Sequence, residues 1–518
     1  MLASRLSQSA SRRILQPSRC LSYAFLEESL RWRKRLSSET ANSLLIPLPP
    51  NEWKDFIHKI ESASTKEWFE SQEGLVRVPK SLLPDIAEQL QLTPATESLV
   101  LLRQDQDSQV SEGGLLPPSK QWSALAKAKS ADAHKVQVSD NTEETVTAFL
   151  SSCYSFDRYK TMVKESMPLM ELCFPESETR QDTEALMGAL YWAQDLISTP
   201  ANDLTPGALQ RSAEEWAASV ADVEVETIVG NDLLSYNGAL STNHGCCMIH
   251  AVGRAASQEP DREPRLIQLR YRPHTTTTQS KPIALVGKGV TYDTGGLNLK
   301  PGGSMLNMKK DMGGAALALG LMRVLVERNF PKPIDCWIPA VENVLDATSY
   351  RPGDILTSVN GTTTEIGNTD AEGRLILADT LAMVSATKPD MILDFATLTG
   401  AQRVALGLEI PAVIGNQPEL MPEIMEAARL ERDPIWQLPL WEGYRDRMKS
   451  KIADYRNIPS DNGMGGAITA ALYLSEFVDN EIPWIHVDFN GLDNGTGLGR
   501  AQSLRTMNRF LWDRYCGK

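Results

Sequence analysis

The chain has 518 residues, of which 42% are hydrophobic and 23% charged, and carries a formal charge of −14. That length allows about three domains with ample core, and the composition is ordinary for a globular protein. The acidic balance excludes non-specific attachment to nucleic acid or anionic membrane. No apolar run reaches the ~18 residues of a bilayer-spanning helix, so no membrane partner is expected either.

From Met1 to Leu26 there is no acidic residue, while Arg5, Arg12, Arg13 and Arg19 stand among serines, with Leu2, Leu6 and Ile14 offering an apolar side. This make-up predicts an organelle transit peptide over 1–26, mitochondrial before plastid, with a disordered basic tail on a cytoplasmic protein as the alternative. A smaller N-terminal α/β domain is expected over 40–165. Within it, the polar stretch from Arg103 to Glu112, followed by GGLLPPSKQW, reads as a surface loop or insertion. Nothing in this part proposes a reaction.

The main domain is expected over 175–518. TEALMGALYWAQDLI predicts a helix stopped by the STPANDLTP turn. PIALVGKG (Pro282–Gly289) then reads as a buried strand, Met312–Asn329 as a helix, PIDCWIPAVEN as a strand and EGRLILADTLAMVSA as a helix. DMILDFATLTG (Asp390–Gly400) is a further strand, GMGGAITAALYLSEFV a glycine loop feeding a helix, and PWIHVDFNG the last strand. Continuously apolar strands separated by helices imply an α/β fold: a mixed, largely parallel sheet with helices on both faces. Ligands of such sheets gather at the carboxyl ends of the strands.

The seven cysteines (20, 153, 173, 246, 247, 336 and 516) contain no CxxC pair, and adjacent Cys246 and Cys247 suit no ordinary disulfide. They read as buried thiols in a reducing compartment. The six histidines (58, 134, 244, 250, 274 and 486) show no metal-ligand spacing, so any metal must rely on other donors.

Acids and lysines do collect near the expected strand ends. Lys288, Asp293 and Lys300 follow the first strand, Asp311 heads the next helix, and Asp370 and Glu372 head a later one. Each has a plain structural alternative. Lys288 fits a solvated loop, Asp293 a turn and Asp311 a helix cap, while Thr369-Asp370-Ala371-Glu372 matches a capping box. Together, though, four carboxylates meeting at one sheet edge would repel one another unless divalent cations held them. Asp370 and Glu372, at i and i+2 on extended backbone, would point the same way. The residues alone leave metal-assisted hydrolysis and phosphoryl chemistry both open.

VGKGVTYDTGGLNLK, MKKDMGGAA and NTDAEGRLILAD closely resemble the leucyl aminopeptidase family, also called the cytosol aminopeptidases. The likeness runs through STPANDLTP, ATLTGA and GGAITAALYL, from about Gln181 to the C-terminus, and more weakly to YSFDRYK (Tyr154–Lys160). It implies release of N-terminal residues from peptides, leucine and other apolar ones preferred. It also implies two divalent ions, zinc first, with manganese, magnesium or cobalt accepted. Asp293 and Glu372 would bridge the ions, Asp370 would serve one, and Lys288 and Asp311 the other. Lys300 and Arg374 match the catalytic positions, Arg374 holding a bicarbonate as general base. Met308, Thr397 and Leu398, with the Gly463–Ala467 loop, match regions that line the side-chain pocket. A homohexamer is implied as well. The rivals are a catalytically inactive relative with a structural or DNA-binding regulatory role, and a two-metal phosphoesterase.

Overall fold

The computed structural model describes residues 179–517 except 275–279 and 462, with five N-terminal strands and scattered positions between 147 and 161. The leader 1–26 and the polar stretch 104–112 lie outside the described residues, as does most of the expected N-terminal domain. Ahead of Thr179, β1 (Ser43–Leu48), β2 (Leu75–Val78), β3 (Ser98–Arg103), β4 (Lys135–Val138) and, past the expected limit at 165, β5 (Glu171–Cys173) form a sheet ordered β2-β3-β1-β4-β5. Its strands pair in parallel except β2 against β3. The chain divides into two compact units between Glu184 and Ala185, and the second carries every candidate site residue.

Each helix and strand expected from Thr183 onward is present. In the second unit β6 (Val223–Val229) and β7 (Arg265–Tyr271) precede β8 (Ile283–Gly287), β9 (Gly289–Asp293) and β10 (Ile334–Asn343). A separate small sheet unites β11 (Ile355–Thr357), β12 (Thr363–Glu365) and β16 (Tyr455–Arg456). The main sheet is completed by β13 (Met391–Ala396), β14 (Ala412–Gly415), β15 (Trp436–Gln437) and β17 (Trp484–Asp488). Its order is β15-β14-β17-β13-β8-β10-β7-β6, with β9 also on β10. The centre, β17-β13-β8-β10, is parallel throughout. Antiparallel pairs flank it, β14 on β17 and β7 on β10. The sheet is therefore mixed and parallel where it matters, because a strand buried on both faces needs helical crossovers to cover it.

The helices include α1 (Thr179–Ser198), α2 (Cys247–Gly253), α3 (Gly313–Glu327), α4 (Gly373–Ala386), α5 (Gly400–Leu406), α6 (Gly466–Ser475) and α7 (Leu504–Cys516), of which α3 and α4 begin at the site. Side chains alternate across a strand. Ala284 and Val286 of β8 accordingly join the core cluster containing Leu375, Ile376, Leu377 and Ala378 of α4. Gly287 faces α3 instead, where a β-carbon would come within 2.6 Å of Ala315 Cα. Helices thus cover both faces. The start of α3 lies so close to β13 that a β-carbon on Gly314 would collide with the Phe395 carbonyl oxygen, which explains the glycines in MGGAA. α3 ends at Glu327, and two residues on Asn329 turns the chain away with a left-handed φ of +56°.

Candidate metal centre

The carboxyl ends of the central strands deliver the site. Lys288 sits between β8 and β9, and Asp293 closes β9. Asp311 lies in a 3₁₀ turn, Met308–Met312, that leads into α3. Asp370, Glu372 and Arg374 enter on the turn into α4. Lys288, Asp293, Asp311, Glu372 and Arg374 are buried, and Asp370 is half-buried.

The turn before α4 corrects two expectations. Thr369 does not cap the helix. Its hydroxyl donates to the Gly295 carbonyl at 2.6 Å and accepts the Asn298 N–H at 2.8 Å, so it ties one site loop to another. Glu372 holds the cap position with helical φ −75° and ψ −36°, and its side chain makes no capping bond. Nor is the segment extended: Asp370 stands in a turn closed by its N–H on Asn368 Oδ1 at 2.8 Å. Glu372 is freed from capping because its main-chain carbonyl already accepts the Leu375 and Ile376 N–H groups, at 2.9 and 3.2 Å. The carboxylate is left to face the sheet edge.

There the acids do converge. One carboxylate oxygen each from Asp293, Asp370 and Glu372 lies within 4.8 Å of the others. Two lysines stand among them. Lys288 Nζ is 2.8 Å from the Asp311 carboxylate and 2.9 Å from Glu372 Oε1, and it also donates to the Thr397 carbonyl at 3.2 Å. Lys300 Nζ is 2.8 Å from Asp293 Oδ2 and 2.5 Å from Asp370 Oδ1. Asp311 joins the triad through Lys288, and accepts the Thr397 hydroxyl at 2.9 Å. Burial, reinforced by the Glu372 charge, pushes the Asp293 carboxyl up to about 6. Burial likewise raises Asp311 and Glu372. For Lys288, burial alone would favour the neutral amine, but Asp311, Glu372 and Asp293 outweigh it and hold the ammonium.

These residues fit a divalent metal. Glu372 Oε2 is buried with no hydrogen-bond partner among the described residues. Four carboxylates against two ammonium groups also leave negative charge uncompensated in a buried place, where it is costly. Carboxylate oxygens, with the Lys288 nitrogen once a bound dication displaces its proton, are a donor set for hard or borderline cations. Among the described residues Arg374 makes no ion pair with the acids, although the Glu372 charge reaches it. Its Nη1 donates to the Asn457 carbonyl at 2.7 Å, and its buried Nε has no partner among the described residues.

Several supporting residues escaped sequence reasoning. Asn343, at the end of β10, donates to Asp293 Oδ1 at 2.9 Å and to the Thr369 carbonyl at 3.1 Å. The Tyr350 hydroxyl also donates to the Thr369 carbonyl, at 2.6 Å. Asn457 accepts the Gly367 N–H at 2.7 Å and donates to the Asn368 carbonyl at 2.6 Å. Asp488, ending β17, accepts the Leu398 and Thr399 N–H groups at 3.0 and 3.1 Å. Only the strand-end rule applied to PAVEN and HVDFN would have flagged Asn343 and Asp488. Of the expected pocket residues, Thr397 touches the cluster directly, whereas Met308 and Leu398 are half-buried beside it in sequence.

The sequence model described as "Cytosol aminopeptidase family, catalytic domain" matches residues 191–507. A protein named probable cytosol aminopeptidase from Geobacter sp. (strain M21) is 40% identical over 359 residues, spanning 68% of this chain and 70% of its own. The crystal structure of the cytosol aminopeptidase from Coxiella burnetii superposes with a TM-score of 0.77 at 34% identity, covering 92% of this chain and 98% of that one. A bottromycin maturation enzyme, BotP, solved in complex with Mn, gives a TM-score of 0.75 at 25% identity, covering 92% and 100%.

Proposed function

The chain belongs to the cytosol aminopeptidase family, a group of metal-dependent hydrolases, and we propose that it releases N-terminal residues from peptides by two-metal hydrolysis. The observation that carries this reading is the triad of Asp293, Asp370 and Glu372, two of them buried and Asp370 half-buried, with oxygens within 4.8 Å and Glu372 Oε2 unpartnered among the described residues. Asp293 and Glu372 would bridge the ions, Asp370 would hold one, and Lys288 and Asp311 the other. A pair of divalent ions held there would supply a water activated at neutral pH and a Lewis acid for the scissile carbonyl. Zinc is the first choice, and manganese, magnesium or cobalt also suit the donors; the manganese in the solved BotP relative supports the class of metal.

The chain's own residues do the rest. Lys300 sets an ammonium beside Asp293 and Asp370, where it can meet charge developing on the carbonyl oxygen. Arg374 is anchored by Asn457 and keeps a free Nε–H, as a guanidinium that must hold a planar anion requires. That anion is proposed to be bicarbonate, which held by Arg374 would supply a general base. Thr397 fixes Lys288 through its carbonyl and Asp311 through its hydroxyl, and so couples the metal residues to the side-chain pocket. Met308 and Leu398 supply apolar walls suited to leucine or methionine.

A mitochondrial address for residues 1–26, a homohexamer, and the domain limits 40–165 and 175–518 belong to the same reading. The leader's composition supports the first, and the family likeness supports the others. An inactive relative would be expected to have lost ligands, whereas all seven expected ligand and catalytic positions are intact. Turnover of leucine p-nitroanilide against p-nitrophenyl phosphate, with and without chelator, tests the reaction. Chelator-sensitive release of nitroaniline alone is expected, and phosphate-ester cleavage alone would put a phosphoesterase in its place.

A further inference from the structure

Arg403, in α5, is a cation that the proposed mechanism does not use. It is exposed, as is Val404 beside it. Among the described residues its guanidinium makes no hydrogen bond and no ion pair. Acids outnumber bases in this chain by 66 to 52, so internal partners for an arginine are plentiful. One left without any has its five N–H donors available to an anion from outside.

The place of this arginine gives it a use. α5 follows β13 and Thr397, and Thr397 bonds both Lys288 and Asp311. The guanidinium folds back along α5 towards that end, since a β-carbon on Gly400 would sit 3.6 Å from Arg403 Nη2. Ala401, in the same turn, meets the glycine loop that feeds α6: a β-carbon on Gly466 would lie 3.0 Å from the Ala401 β-carbon. On the other side, the Arg403 charge acts on Lys310 more strongly than that of neighbouring Asp311 does. Arg403 therefore stands at the carboxyl end of the sheet with the metal residues. It lies between two segments expected to border the side-chain pocket, the glycine loop and the 3₁₀ turn that carries Met308.

We propose that Arg403 binds the free C-terminal carboxylate of the substrate and so tunes the enzyme to dipeptides and tripeptides. This rests on the aminopeptidase reading and specifies its substrate. A short peptide is a zwitterion. Its amine suits a site of four carboxylates, but its own carboxylate follows only ~3.5–7 Å further along an extended chain. The same acids repel that group unless a cation meets it. A guanidinium offers a carboxylate a planar fork of donors, and this one gives up no internal ion pair in doing so. A longer peptide carries its terminus past Arg403 and loses the contact.

The test is kcat/KM for the metal-loaded full-length enzyme on Leu-Gly and Leu-Gly-Gly, each beside its C-terminal amide, repeated with Arg403→Gln and Arg403→Glu. The wild type should favour the free acid over the amide in at least one pair, by ~5-fold, as for one partly exposed ion pair. Arg403→Gln should bring that ratio close to one, and Arg403→Glu should invert it. The two members of a pair are nearly isosteric, so a general loss of stability or metal would leave their ratio alone. A wild type that favours the free acid in neither pair overturns the inference whether or not the variants fold, and so does a ratio unmoved in Arg403→Gln. Failure to release leucine from any of the four substrates would instead count against the aminopeptidase reading itself.

Discussion

A β-carbon on Gly373 would lie 2.7 Å from Lys288 Nζ and 2.5 Å from its Cε. The glycine after Glu372 is thus the space into which the lysine of another loop extends, and the length of the Lys288–Glu372 ion pair, 2.9 Å, depends on it. Gly373→Ala should push Lys288 off Glu372. Metal affinity, measured by competition with a chromogenic chelator, should fall ~10–100-fold, as for loss of a group that orients metal ligands. Wild-type affinity in a folded variant would show that Lys288 has room to spare.

Arg374 acts apart from the acids in this account. Arg374→Ala should keep its metal yet slow turnover by ~10²–10³-fold, the loss typical of one positioned catalytic contact. Arg374→Lys should rescue little, because an ammonium lacks the planar fork. Unchanged kcat in the alanine variant would remove Arg374 from the mechanism.

Asp379, one turn further along α4, accepts backbone N–H groups from Met248 at 2.8 Å, Ile249 at 3.1 Å and Val359 at 2.9 Å. Burial pushes its carboxyl up to about 6 from an ordinary value of 3.8, and those N–H groups pull it only partly back. Between the two values the native state binds more protons than the unfolded chain. The group's contribution to stability is therefore fully present below the lower value and is lost as pH rises through the upper one. Urea midpoints for wild type and Asp379→Asn, taken from pH 4 to 7, should shift in the variant's favour as pH rises. Parallel curves would mean that this carboxyl titrates normally.

The sequence made the skeleton legible because burial is a local signal: β8, β10, β13 and β17 are buried along their whole length and mostly apolar, and α3 and α4 lie between them in sequence. Strand direction was less so, since β7 is almost as buried as the parallel strands yet runs antiparallel. At the site, the residue types and spacing pointed to the right loops, but the local reading of Thr369 as a cap failed. Its partners, Gly295 and Asn298, are more than seventy residues away, and the tertiary bond won over the local one. Tyr350 and Asn457 were invisible for the same reason. An isolated asparagine or tyrosine carries no pattern until the fold brings its partner to it.

The central claim is that Asp293, Asp370 and Glu372 meet because divalent cations hold them. Metal analysis of purified wild type beside Asp370→Ala, with release of the N-terminal residue from a peptide followed in the same samples, tests it most directly. The account predicts about two divalent ions per wild-type chain, and in the variant a joint loss of metal and hydrolysis. An Asp370→Ala protein that keeps its full metal content and its activity would contradict it.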